Sequence, residues 1–389
     1  MAHKSTYILL GILVIIGLVF FTPSKGICSW DFQHSIWGPA ELLVYGQPPY
    51  QLNPPYGPYI APWWPQIIGV NFWMGWLPCW TAAKLWLAIE LAGLGFSIWL
   101  LNYRKKPTPR QLGLMLLVVF LFPPVYTHIH LGQFSLLFIT LMVMTAFTGR
   151  ERFPSAKQLS WVSLLAVLGA AKPQLTVLIY PGIIAATWKR QGMSGLARLL
   201  GASLGWLAIC LIPLFAFYPG WISGFMEVTR YNLNAGWNLP TPFIQLYLHL
   251  GITGLFIWLL FFFSSLALSI YLWVKKGERV GLIWTMALTP LVTTYCSSWD
   301  FTLLLPLFFW QFLNYQSGLS RGILISGMFL VDIWQVVPRL GKNDIPDSSQ
   351  WWIPPALITV FVLSMLVERW KESQFAINDK NIEDLEEVD

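Results

Sequence analysis

A chain of 389 residues that is 56% hydrophobic and 11% charged, with 23 Trp and 26 Phe, is not built as a water-soluble domain, since such domains run about 25% charged. The net charge of +6 is dispersed in short clusters between apolar runs, which excludes a nucleic-acid patch and fits the basic loops that stay cytoplasmic in membrane proteins. Cys28, Cys79, Cys210 and Cys296 form no Cys-x-x-Cys pair, so neither a zinc site nor a dithiol redox motif is indicated.

In chain order, the first expected helix is 6–22. It runs outward as a retained anchor, because Thr22-Pro23-Ser24-Lys25 lacks the small-residue cleavage site of a signal peptide. An outer loop over 23–79 follows, with a short surface helix from Ile36 to Tyr45 and a re-entrant or interfacial helix from Pro65 to Leu77. Further helices are expected at 80–103, 111–127, 132–148, 157–171, 174–188 and 196–217. A second outer loop spans 218–250, and the last five helices are 252–274, 280–297, 301–313, 321–338 and 351–367. Lys25, Lys84, Lys172, Arg230, Arg339 and Lys342 fall outside or within helices; the rest of the 24 Lys and Arg fall inside. The expectation is therefore an all-α integral membrane bundle of about 12 helices, with outer-face juxtamembrane helices and both termini cytoplasmic. Residues 1–370 make one polytopic domain, and 371–389 an acidic, disordered tail. Cys28 and Cys296 both face outward on this topology, which permits a disulfide between them.

The same topology gathers polar residues at the outward helix ends: Asp31, His128, His130, Gln133, Lys172 and Asp300. Ionisable groups at membrane depth are costly and default to function, although helix ends let side chains reach water. Asp31 is a candidate general base; as a plain alternative it caps a helix. Lys172 sits in Ala171-Lys172-Pro173-Gln174, an outward turn, against the positive-inside trend; the plain alternative is snorkelling. His128 and His130, at i and i+2, lack a carboxylate or thiolate to complete a metal set, so no metal or cofactor is called for; they suit donation to an anion or are interfacial polar residues. Asp300 orients a ligand or caps the next helix. Arg230 is a further anion partner.

One base and several cationic donors at one outer face suit transfer from a phosphorylated lipid. The ordered features are Trp30-Asp31-Phe32, then Tyr45-Gly46-Gln47-Pro48-Pro49-Tyr50, Gly132-Gln133, Lys172-Pro173 and Ser298-Trp299-Asp300. This order, over about 6–315, resembles the GT-C superfamily and is similar to glycosyltransferase family 87, the polyprenyl-phosphate-mannose-dependent mannosyltransferases. The resemblance implies a GT-C-like bundle and inverting transfer of a hexose, by analogy mannose, to a lipid or glycan acceptor on the outer face of the plasma membrane. It also implies that Asp31 is the base. Lys172, with His128, His130 or Arg230, would hold the donor phosphate, while Gln133 and Asp300 orient hydroxyls. Relatives often carry His after the Trp-Asp pair, where this chain has Phe301. A transporter or lipid flippase is the rival from another class; it predicts polar or broken helices near the midplane.

Overall fold

The computed structural model describes residues 28–53, 55, 64–102, 107–148, 156–234, 239–337 and 347–386, with Gly11 and Gly17. Among the described residues all regular structure is helical. An apolar chain can satisfy its backbone in lipid that way, because every helical N–H and C=O pairs within its own segment.

Helix α1 is a continuous run of three pieces, Trp30–Phe32, a wider π-turn Gln33–Trp37, and Gly38–Val44. Next come α2 (Pro65–Asn71), which passes into the 3-10 turn Phe72–Trp76, and α3 (Cys79–Asn102). Helices α4 (Pro109–Leu121), α5 (Pro123–Leu131), α6 (Ser135–Thr148) and α7 (Ala156–Gly169) follow. After them lie α8 (Ile179–Phe217), α9 (Trp221–Asn234) and α10 (Pro242–Tyr271), which continues as the π-turn Leu272–Lys276. The chain closes with α11 (Glu278–Val292), the 3-10 turn Ser298–Leu304, α12 (Leu305–Asn314), α13 (Gly318–Val336) and α14 (Ile353–Glu386).

Among the described residues five helices are long and apolar enough to cross a bilayer, and a sixth if α4 and α5, bent by 63°, count as one span. They are α3, α8, α10, α13 and α14; α6 and α7 are apolar but shorter. The all-helical membrane class holds, and of the twelve expected helices these five or six have the length that a roughly 30 Å core demands. Expected helix 6–22, apart from Gly11 and Gly17, and the basic clusters around 104–106 and 150–152 lie outside the described residues. The Pro65 helix is seven residues long, too short to span, and is buried in protein: a Cβ on Gly69 would meet the Cys210 carbonyl at 1.9 Å.

Three features depart from expectation, and one division of a helix is met. The helix expected at 111–127 breaks at Phe122, because Pro123 and Pro124 have no N–H to continue it. The two helices expected at 174–188 and 196–217 are met as the two arms of α8, which kinks between them at Gly192, φ 61°. The acidic tail is helical to Glu386 rather than disordered; extending an existing helix needs no new nucleus. Cys28 pairs with Cys79, not Cys296, which is buried and free. The bond ties the lead-in to α1 onto the first residue of α3, a neighbour that Cys296 is not.

A core of large apolar side chains, including Phe32, Trp86, Phe134, Phe138, Phe301 and Phe308, runs between these helices. Phe32 and Trp86 lie 5.8 Å apart, and Trp86 stacks on Phe134 at 6.3 Å. This packing brings the N-terminus of α1, the α5–α6 turn, the turn after α7 and the Ser298 turn to one place.

Candidate active site

Asp31 lies in the first turn of α1 with Ser29 at the N-cap position. Its carboxylate does not cap the helix: Oδ2 accepts from the Gln133 side-chain amide. Gln133 arrives there because α5 ends on Gly132 in the left-handed region, φ 70°, and the His128 carbonyl accepts from both Gly132 N at 3.0 Å and Gln133 N at 3.2 Å. Glycine is required twice over at this cap. A Cβ on Gly132 would fall 2.6 Å from Phe32 Cβ and 3.0 Å from Ser29 Cβ. The turn is gripped from α3 as well, since Trp86 Nε1 donates to the Gln133 carbonyl at 3.3 Å.

Lys172 follows α7 and precedes the 3-10 turn Pro173–Leu175, with φ −120° and ψ 79°. Pro173 holds the residue before it away from helical geometry. The ammonium group is 7% exposed by residue. Its Nζ donates to Gln133 Oε1 at 2.8 Å, to Asp300 Oδ1 at 2.8 Å and to Ser135 Oγ at 3.4 Å. It has therefore not snorkelled out to water, and its charge is spent inward.

Asp300 is 1% exposed. It forms a capping box with Ser297, whose N–H donates to Oδ2 at 3.2 Å. Its other oxygen takes Lys172 and the Ser135 hydroxyl. Capping and site contact coexist in one carboxylate.

The result is a linked group, Asp31–Gln133–Lys172–Asp300, with Ser135 closing it. Burial raises the Asp31 pKa to about 6, although Lys172 and the Gln133 hydrogen bond pull it down. A carboxylate in that range is largely ionised at neutral pH and is a stronger proton acceptor than an ordinary aspartate. The Tyr295 phenol is pushed up by burial and by both Asp300 and Asp31, so it faces the same acids.

Of the residues singled out from sequence, Asp31, Gln133, Lys172 and Asp300 are together, and three are not. His128 Nε2 lies 3.1 Å from Glu90 Oε1, both side chains fully buried. His130 is exposed and stacks on Tyr126 at 6.2 Å. Arg230 is exposed on α9. Successive residues of a helix face different ways, so His128 and His130 diverge. Sequence reasoning missed Ser135, Tyr295 and Glu90. A lone acid in the apolar run Leu85 to Leu101 was a readable signal for Glu90; Ser135 and Tyr295 had none. Among the described residues no three His, Cys, Asp or Glu side chains converge as metal ligands.

A family model, Glycosyltransferase family 87, matches residues 69–298, more than half of the chain. The matched stretch carries Glu90, Gln133, Ser135 and Lys172; it begins after Asp31 and stops just short of Asp300. No curated protein matches.

Proposed function

The chain belongs to glycosyltransferase family 87, and from that premise we propose that it moves a hexose, mannose in the first instance, from a polyprenyl-phosphate carrier to a lipid or glycan acceptor at the extracytoplasmic face. The observation that carries this reading is Asp31, held by the same Gln133 side chain that accepts from Lys172.

Asp31 takes the proton of the acceptor hydroxyl. The freed oxygen attacks the anomeric carbon on the face opposite the phosphate. The bond from that carbon to the phosphate oxygen breaks, its electron pair leaves as polyprenyl phosphate, and the configuration inverts. Lys172 stabilises the charge that grows on the leaving phosphate. Its longest contact, to Ser135 at 3.4 Å, is the one a phosphate oxygen would most easily replace. Gln133 and Asp300 orient hydroxyls of sugar or acceptor. His130 and Arg230, being exposed, are available to an arriving phosphate rather than to a bound one. Residues 1–370 form one catalytic domain in a bundle of about twelve helices, with both termini cytoplasmic, in the plasma membrane. The disulfide three residues before Asp31 supports the outward assignment, because such bonds persist in oxidising compartments.

The experiment is transfer of labelled mannose from polyprenyl-phosphate-mannose to total membrane lipid, with wild type beside Asp31→Asn. Label with wild type and at least about a hundredfold less with the variant is expected, given what a lost general base costs. Equal transfer by both proteins removes Asp31 from the base role. No label with either overturns the proposed donor.

A further inference from the structure

Glu90 lies within α3, a helix of apolar composition, and is 0% exposed. A carboxyl group there is costly unless it is paired. Its partner is His128, 3.1 Å away and equally buried. On α3, Trp86 is one turn earlier on the same face, and it donates to the Gln133 carbonyl at 3.3 Å. On α5, the His128 carbonyl accepts from Gly132 N and Gln133 N. One helix thus holds the turn before Gln133 at two points: by the Glu90 side chain on His128 and by the Trp86 indole on the backbone. Glu90 and Trp86 also line a small cavity with Ser29, Phe32 and Gly132, so α3 abuts both the residues that flank Asp31 and the turn before Gln133.

We propose that Glu90 and His128 are positioning residues: their contact fixes the end of α5 so that Gln133 reaches Asp31 and Lys172 together. His128 then acts through Gln133 and not on the donor phosphate. This rests on the family reading and on Asp31 as base, and it places two residues behind the catalytic group that touch neither donor nor acceptor. The groups facing Asp31 are Lys172, Asp300 and His34 from the elements around it, with the neutral Gln133 amide and the Tyr295 phenol. Loss of the Gln133 bond removes one of the contacts that favour the Asp31 carboxylate, and its titration moves upward.

The test uses the full chain in lipid nanodiscs with polyprenyl-phosphate-mannose as donor. Two readouts are taken: kinetics against pH, and the Asp31 carboxyl titration by infrared difference against Asp31→Asn. In His128→Gln the side-chain amide nitrogen reaches the place of Nε2 and keeps the Glu90 contact. That variant should hold kcat within about threefold of wild type, with the acid limb of its rate–pH profile, set by Asp31 protonation, still at about pH 6. Glu90→Leu strands His128 and should lower kcat at least about tenfold with little change in donor KM, and its limb should move above pH about 6. The apolar pair Glu90→Met with His128→Leu is the variant to use if Glu90→Leu does not fold, and the same loss and shift are expected of it. An intact His128→Gln protein as inactive as the Glu90 variant overturns the proposal, because the imidazole itself would then act. So does an Asp31 titration that neither Glu90→Leu nor the apolar pair moves. If wild type transfers no label, the donor reading fails, and the infrared titration still decides the pair.

Discussion

A carboxylate works as a base only if it is ionised at working pH and yet holds a proton well enough to take it from a hydroxyl. At Asp31 burial pushes the pKa up to about 6 while Lys172 and Gln133 limit the rise. The sign follows directly. Protonated Asp31 cannot accept, so kcat/KM should fall as pH drops through about 6 and level off above it. A rate–pH profile measured from about pH 4 to 8 should show that limb; a profile flat down to the ordinary aspartate range would remove Asp31 as base. Lys172 makes a second case, because it pairs with Asp300 at 2.8 Å with both groups buried. Lys172→Ala strands a buried carboxylate, and breaking such a pair costs about 3 kcal/mol or more. The double variant Lys172→Ala with Asp300→Asn should recover most of that in thermal unfolding. It should still bind donor at least about tenfold more weakly, since the phosphate has lost its cation. Normal donor KM in the double variant would withdraw Lys172 from the phosphate. In Lys172→Ala alone the Asp31 limb should also move upward, as its nearest favourable charge is gone. The four candidate residues that the fold brings together, Asp31, Gln133, Lys172 and Asp300, were legible because each is polar at an apolar helix end. Ser135 was not, since a serine in such a run more often bonds its own helix.

At the scale of the element, the helix bounds follow the apolar runs closely, and the breaks do not. Pro123-Pro124 carries the signal for the bend at Phe122 that the expected helix 111–127 ran through, whereas Gly192 and Gly251 take their positive φ with open space around them. Gly132 is the break that matters most for the site. Its φ of 70° costs an L-residue about 1–2 kcal/mol. A methyl group there would also collide with Phe32 Cβ and Ser29 Cβ, atoms fixed to backbone that cannot swing away. Gly132→Ala should therefore destabilise by about 2–4 kcal/mol and separate Gln133 from Asp31, with activity falling further than stability. Gly113, in the middle of α4 with open space around it, is the matched control. Gly113→Ala should be neutral or stabilise by up to about 1 kcal/mol. Thermal unfolding and transfer rates on the pair decide it, and equal effects at both positions would deny the tight approach at Gly132. The Cys28–Cys79 bond belongs to the same scale. Sequence spacing could not select it, because partner choice depends on which helix end meets the lead-in to α1.

For the whole molecule, the charge pattern and the site geometry make independent statements about orientation. Lys189 donates to the Val274 carbonyl and Arg190 pairs with Glu278, gathering basic residues where α10 ends and α11 begins. Positive charge stays on the cytoplasmic side. Asp31 and the Cys28–Cys79 bond sit together at the start of α1, and disulfides persist on the opposite, oxidising side. If both arguments are right, Tyr45 and Lys276, both exposed, must lie on opposite faces of the membrane. Cys210 and Cys296 are buried and Cys28 and Cys79 are joined, so an introduced thiol can be read against a low background. Tyr45→Cys should be labelled by a membrane-impermeant maleimide in intact cells. Lys276→Cys should be labelled only after the membrane is opened. The reverse pattern would turn the bundle over and place Asp31 in the cytoplasm, where a lipid-linked donor would have to be used from the inner leaflet. Labelling of both thiols in intact cells would mean that an even number of spans, not an odd one, separates Tyr45 from Lys276.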